Sequence, residues 1–201
     1  MAKVEYGFRA GSEHAAPAPA RVVFDVADRC KPGTNCTNHD AVSWPDVPWN
    51  TECSTGTCPG NYSPTVWSTK RLAKITTQIS TAVGYRDVDQ WALAHAWPEP
   101  GDGTTAGLYL SGITHSGLAP TAVVLPDTTF EGTMMANRVY QANGDNLPAL
   151  NKYRITSIKT EAGAAINVNY PAPDCSQQSL PTRTRNAAFR SAGRFRRQPL
   201  R

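Results

Sequence analysis

Four cysteines carry the clearest chemical possibility in this chain: Cys30, Cys36, Cys53 and Cys58. They fall as two close pairs in one polar, Pro/Gly-rich stretch that also holds His39 and Asp40. Thiolates and an imidazole at close spacing can hold zinc, and thiols alone can oxidise to disulfides. Five residues separate the first pair and four the second. Structural zinc sites favour two to four, so the spacing leans toward disulfides. Four cysteines permit three pairings. Short-range bridges Cys30–Cys36 and Cys53–Cys58 would staple the stretch, although the sequence alone does not choose among the three. Cys175 stands apart, and an odd cysteine asks for a partner.

The same stretch contains three of the five tryptophans, Trp44, Trp49 and Trp67. Aromatic faces on a β scaffold can stack on sugars, because a ring is apolar and polarisable. The competing and favoured reading is a hydrophobic plug that holds together a loop without regular structure. The remaining histidines are His14, His95 and His115. His95 has the strand parity of Trp91, Leu93 and Trp97, which predicts a packed or half-buried ring. His115 suits a strand end. "PEPGDGTTAG" resembles a calcium loop only by composition and has too few spaced acids, so it reads as a turn. No G-x-S-x-G elbow, phosphate-binding glycine loop or activated nucleophile is present. The expectation is a chain that is not an enzyme and needs no cofactor. Asn35 and Asn61 begin glycosylation sequons to which we attach no role.

These residues must be positioned by strands. Period-2 alternation predicts nine: Lys3–Arg9, Arg21–Val26, Arg71–Ser80, Val88–Trp97, Leu108–His115, Thr121–Leu125, Thr128–Met134, Tyr153–Thr160 and Ala165–Tyr170. Glu161, Ala162 and Gly163 read as a hairpin turn, with Gly163 free to take positive φ. A longer hairpin crosses "PEPGDGTTAG". No stretch has a convincing helical period with caps. The fold class expected is all-β, with antiparallel hairpins on one or two sheets and a Cys/Trp-rich loop insertion at 27–68. A weak repeat begins at Leu72, Leu110 and Ile155, roughly forty residues apart, and would mean stacked hairpins along a sheet.

The 201 residues suffice for one domain, and 40% are apolar. No run approaches the roughly eighteen apolar residues of a membrane helix. "MAKVEYGFRA" lacks the apolar stretch of a signal peptide and runs straight into a strand. The net charge of +4 is misleading, because the last stretch, 181–201, holds seven arginines and no acid. Removing those seven from the 20 basic residues leaves 13 against 16 acidic ones, or −3. A mildly acidic body argues against a specific nucleic-acid partner.

Seven phrases, taken in order, resemble one family: "VEYGFRAG", "RVVFDVADRC", "SPTVWSTKRLAKITTQ", "WPEPGDGT", "LYLSGITHSG", "LPDTTFEGTMMANRV" and "KYRITSIKTEAGAAINVNY…PDC". From Val4 to Cys175 the chain is similar to the segment before the YD repeats of large secreted RHS-repeat proteins of actinobacteria. These are relatives of polymorphic toxins, resembling teneurins and the shell component of Tc toxin complexes. The resemblance implies part of a larger RHS/YD-type β structure. Its role would be a non-catalytic scaffold leading into a shell around a C-terminal toxin. The partners implied are the rest of that shell and its cargo. The location implied is secreted or cell-surface, as part of a parent protein. Secreted relatives also favour oxidised cysteines. The resemblance carries no catalytic residues. The alternative from the residues alone is an extracellular carbohydrate-binding β module that uses the Trp-rich loop.

The resemblance also bears on the basic end. In this family the phrase after the Pro-Asp-Cys motif is similar to "DTNTRRCFPVRWT". Reading the codons of 181–201 from their third bases permits "DTNTQRCFPVRWT". The expected organisation is therefore a β-rich fragment over 1–180 and a disordered basic tail over 181–201, out of frame from near Leu180. The shifted frame would supply a cysteine near Ala187–Ala188 as a partner for Cys175. In its present frame, an arginine-rich segment would attract anions without specificity, in a salt-dependent way.

Overall fold

In the computed structural model, the residues described are 2–11, 13, 15–53, 56, 58, 65–139, 149–173 and 175. His14, the Asn61 sequon and the basic tail lie outside the described residues.

Alternating β-branched and polar residues do form strands, and all nine expected strands are present. They are β1 (Ala2–Tyr6), β2 (Ala20–Asp28), β3 (Lys70–Thr81), β4 (Gly84–Ala96) and β5 (Tyr109–Gly117), followed by β6 (Val123–Val124), β7 (Thr128–Ala136), β8 (Asn151–Lys159) and β9 (Ala165–Asn167). They build one nine-stranded antiparallel sheet in the order β1-β2-β3-β4-β5-β7-β8-β9, with β6 paired to β5. The chain is thus all-β, and the described residues contain no α-helix. The three similar stretches lie on β3, β5 and β8, which alternate with β4 and β7 and so run in the same direction.

Turn chemistry closes the hairpins as the residues require. Gly163 adopts φ 83°, its N–H bonds Thr160 O at 2.9 Å, and Thr160 N–H bonds Ala164 O at 2.9 Å. Across the β4–β5 hairpin, Gly101 and Gly103 take φ 69° and 81°. The Asp102 carboxylate there accepts bonds from Thr104 Oγ1 at 2.6 Å, Thr104 N at 2.9 Å and Asn151 N at 2.5 Å. The Thr104 hydroxyl and then the Asn151 amide hold the Asp102 carboxyl below the usual range. These donors occupy the carboxylate, so "PEPGDGT" is a turn stitched to the start of β8.

The two faces differ in character. Phe24 pairs with Ile75, Ile75 with Trp91, and Trp91 with His115. Leu93 pairs with Ile113, while Phe130, Ile158 and Ile166 face one another. Partners in a ladder share a face, so these residues form one apolar face. The opposite face carries Lys3, Arg21, Asp25, Lys74, Gln78, Gln90 and Lys159. It is polar, although Val23, Thr76 and Ser116 are buried within it. No second layer covers the apolar face among the described residues. Its side chains are half-buried by their own neighbours, and no large side chain is fully buried.

Four β-bulges interrupt the ladders, at Asp25/Val26, Thr77/Gln78, Ala94/His95 and Glu131/Gly132. Each extra residue reverses the facing of the residues beyond it on the strand. At the third of these, Ala94 pairs with Gly112 and His95 with Leu110, so the extra residue, Ser111, belongs to β5. β4 keeps its own alternation there, and His95 is half-buried.

Candidate functional site

The insertion between β2 and β3 is the part of the molecule with a core of its own. Cys30, Trp44 and Val47 are 4%, 5% and 6% exposed and pack together, with Trp49 and Trp67 against them. Local turns deliver these residues. Asp40 accepts bonds from Val42 N at 3.1 Å and Ser43 N at 2.7 Å, an arrangement that initiates a turn. The Ser43 amide keeps the Asp40 carboxyl below its ordinary range. Trp44 N then bonds Asp40 O at 2.8 Å, and its indole Nε1 donates to Cys36 O at 3.2 Å. Pro48 precedes a short 3-10 turn, Trp49–Thr51.

Two disulfides staple this segment, Cys30–Cys36 and Cys53–Cys58. The oxidised cysteines leave no thiolate set for zinc. Among the described residues, no group of three or more His, Cys, Asp or Glu could hold a metal ion. Cys175 is free and exposed.

The aromatic residues form a connected stack. His39 lies flat on Trp49, with centroids 3.7 Å apart and planes 4° apart. Trp44 meets Trp49 edge-on at 5.6 Å, and Trp67 meets it edge-on at 6.2 Å. Trp44 thus has no exposed face, and His39 covers one face of Trp49. Beside the stack opens a cleft of about 760 Å³ between the insertion, Thr105–Ala106–Gly107 before β5, and Lys152 of β8. Asp46, 5% exposed at its side chain, anchors the insertion to Arg29 through two bonds from the guanidinium, one of them 2.9 Å from Nε. Asp46 Oδ1 and Trp49 Nε1 are buried without a hydrogen-bond partner among the described residues.

Neither His95 nor His115 lines this cleft. His95 Nδ1 lies 3.0 Å from Arg71 Nη1. An arginine can only donate, so Nδ1 accepts. Burial, then the Arg71 charge, lowers the His95 pKa from its ordinary value. His115 stacks on Trp91, with centroids 4.7 Å apart. Its Nε2 is 3.3 Å from Asp89 Oδ1 and its Nδ1 3.7 Å from Glu161 Oε2. A carboxylate on each side orients this ring, and no hydroxyl or thiol nucleophile is bonded to it among the described contacts. Sequence reasoning did not anticipate the Arg29–Asp46 pair, the His39–Trp49 stack or the acids around His115. The only sequence signal for them was the closeness of His39 and Asp46 to the tryptophans.

Among the described residues, the fold and the cleft together describe an all-β protein of one sheet with a disulfide-stapled aromatic plug. No family model, no curated protein and no solved structure matches the chain. Among the described residues, no helix is long and apolar enough to cross a membrane.

Proposed function

We propose that this chain is a non-catalytic structural module, a scaffold segment that is completed by further β structure. Its resemblance to the segment before the YD repeats of RHS proteins gives the context: a lead into a shell around a C-terminal toxin. The single observation that supports this reading is the apolar face of the nine-stranded sheet, which has no covering layer among the described residues. A sheet with one apolar face buries it against another layer in a finished domain. Two disulfides favour an oxidising compartment, in keeping with a secreted or surface-borne parent. The cleft beside Trp49 supports the second reading, a carbohydrate-binding module.

One pair of measurements separates them. On the structural reading, the chain binds a hydrophobic dye such as ANS, Ile113→Glu on the apolar face weakens that binding, and a glycan array stays blank. A glycan retained by the wild type and lost on Trp49→Ala, in a protein that ignores the dye, overturns it.

A further inference from the structure

Strand β1 ends the sheet and all five of its residues are exposed. One edge pairs with β2 through Ala2–Phe24, Lys3–Val23, Val4–Val22, Glu5–Arg21 and Tyr6–Ala20. Among the described residues no strand pairs with its other edge, whose backbone N–H and C=O groups are a template for a further strand. Ala2, Val4 and Tyr6 belong to the apolar face, in line with Phe24 and Val22. Lys3 and Glu5 share the polar face, where Lys3 Nζ sits 2.6 Å from Glu5 Oε1. Two opposite charges thus stand symmetrically about Val4.

We propose that β1 pairs antiparallel with β1 of a second copy, about a two-fold axis through Val4, joining two sheets into one. Charge complementarity and register select this arrangement. Paired residues share a face, so the register can change only in steps that keep the apolar faces together. With Val4 opposite Val4, each Lys3 meets Glu5 of the other copy, and each Ala2 meets Tyr6. One allowed step in one direction sets Lys3 against Lys3. One step in the other sets Glu5 against Glu5. Directly opposed like charges destabilise a strand pair, whereas opposite charges support it. The contact is isologous and closes at two copies. The far edge of the sheet, β9, reads Ala-Ile-Asn and has no charge to select a register with β1. Pairing of β1 with β9 of another copy would instead continue as an open polymer. This inference does not rest on the scaffold reading, because it concerns an edge rather than the apolar face.

Sedimentation of the full chain at low ionic strength tests it. The wild type forms a dimer that weakens as salt rises. Lys3→Glu alone, or Glu5→Lys alone, turns both cross-copy pairs repulsive and lowers the association constant roughly tenfold to a hundredfold. The double exchange Lys3→Glu/Glu5→Lys restores the dimer. An equimolar mixture of the two single variants forms a heterodimer, because one chain then offers two acids and the other two lysines. Three results each overturn the proposal: a wild type that stays monomeric, a dimer indifferent to both single reversals, or a folded double exchange that does not dimerise. Polymers that lengthen with concentration point to β1–β9 pairing and overturn it too.

Discussion

The insertion at 27–68 and the sheet that bears it are held together by different means. The insertion has almost no ladder hydrogen bonding and depends on buried rings, two disulfides and the Arg29–Asp46 pair. The sheet has long ladders, such as β2–β3 and β3–β4, yet its apolar side chains are only half-buried. Covalent staples stand in for secondary structure in the first. In the second, backbone pairing stands in for a packed interior. Within the sheet the join is uneven. β5 meets β7 through two residue pairs, Gly112–Thr129 and Ile113–Thr128, and shares that edge with β6. A Cβ on Gly112 would sit 3.3 Å from Thr128 O, so glycine is what lets the strands approach there.

If the two regions are held independently, damage to one should spare the other. The largest expected effect is Trp44→Ala, which removes the centre of the plug. Loss of a buried tryptophan typically costs about 3–5 kcal/mol. Hydrogen exchange should show the insertion opening while amides of β3, β4 and β5 keep their protection; joint loss would mean one cooperative unit. Next comes Gly132→Ala in the sheet. The new Cβ would meet Arg154 O at 2.5 Å and the Tyr153 ring at 2.6 Å. Overpacking of this kind costs about 1–3 kcal/mol. Urea melts should register it, with near-ultraviolet signals from Trp44 and Trp49 retained at denaturant levels that loosen β7–β8.

Cys30→Ser with Cys36→Ser opens a short loop, and the chain-entropy argument puts the loss at about 2 kcal/mol, confined to the insertion. Proteolysis between residues 31 and 43 should accelerate, with the sheet left intact. The smallest effect concerns half-buried His95 in β4. Its lowered pKa means that the unfolded chain binds the proton more readily. Its contribution to stability is therefore present above the ordinary histidine pKa and is lost as pH falls through the window below it. NMR titration should place the His95 midpoint below an ordinary histidine, and Arg71→Gln should move it upward. A midpoint unchanged by that substitution would remove Arg71 as a cause.

Much of this architecture was legible because strand formation follows a local rule. Ile166, Val168 and Tyr170 alternating with Asn167 and Asn169 marked a strand, and β9 begins there. Gly163 marked the turn before it for the same local reason. Ser111 shows where the rule stops. It is the extra residue at the Ala94/His95 register shift, set by the pairing of β5 with β4, and no alternation along β5 announces it. Cysteine proximity pointed to the short-range bridges without choosing them. Trp44 and Trp49 look alike in "SWPDVPW" and both line the cleft, yet Trp44 is buried and Trp49 only half-buried.

The sequence by itself determined that the chain is all-β, where its nine strands lie and which segment is stapled, because a period of two and the turn preferences of glycine act over a few residues. The tertiary structure decided the strand order, the reversal of facing at each bulge and the partners of each ring. Those depend on which distant strand supplies the opposite register, and no short stretch of residues carries that information.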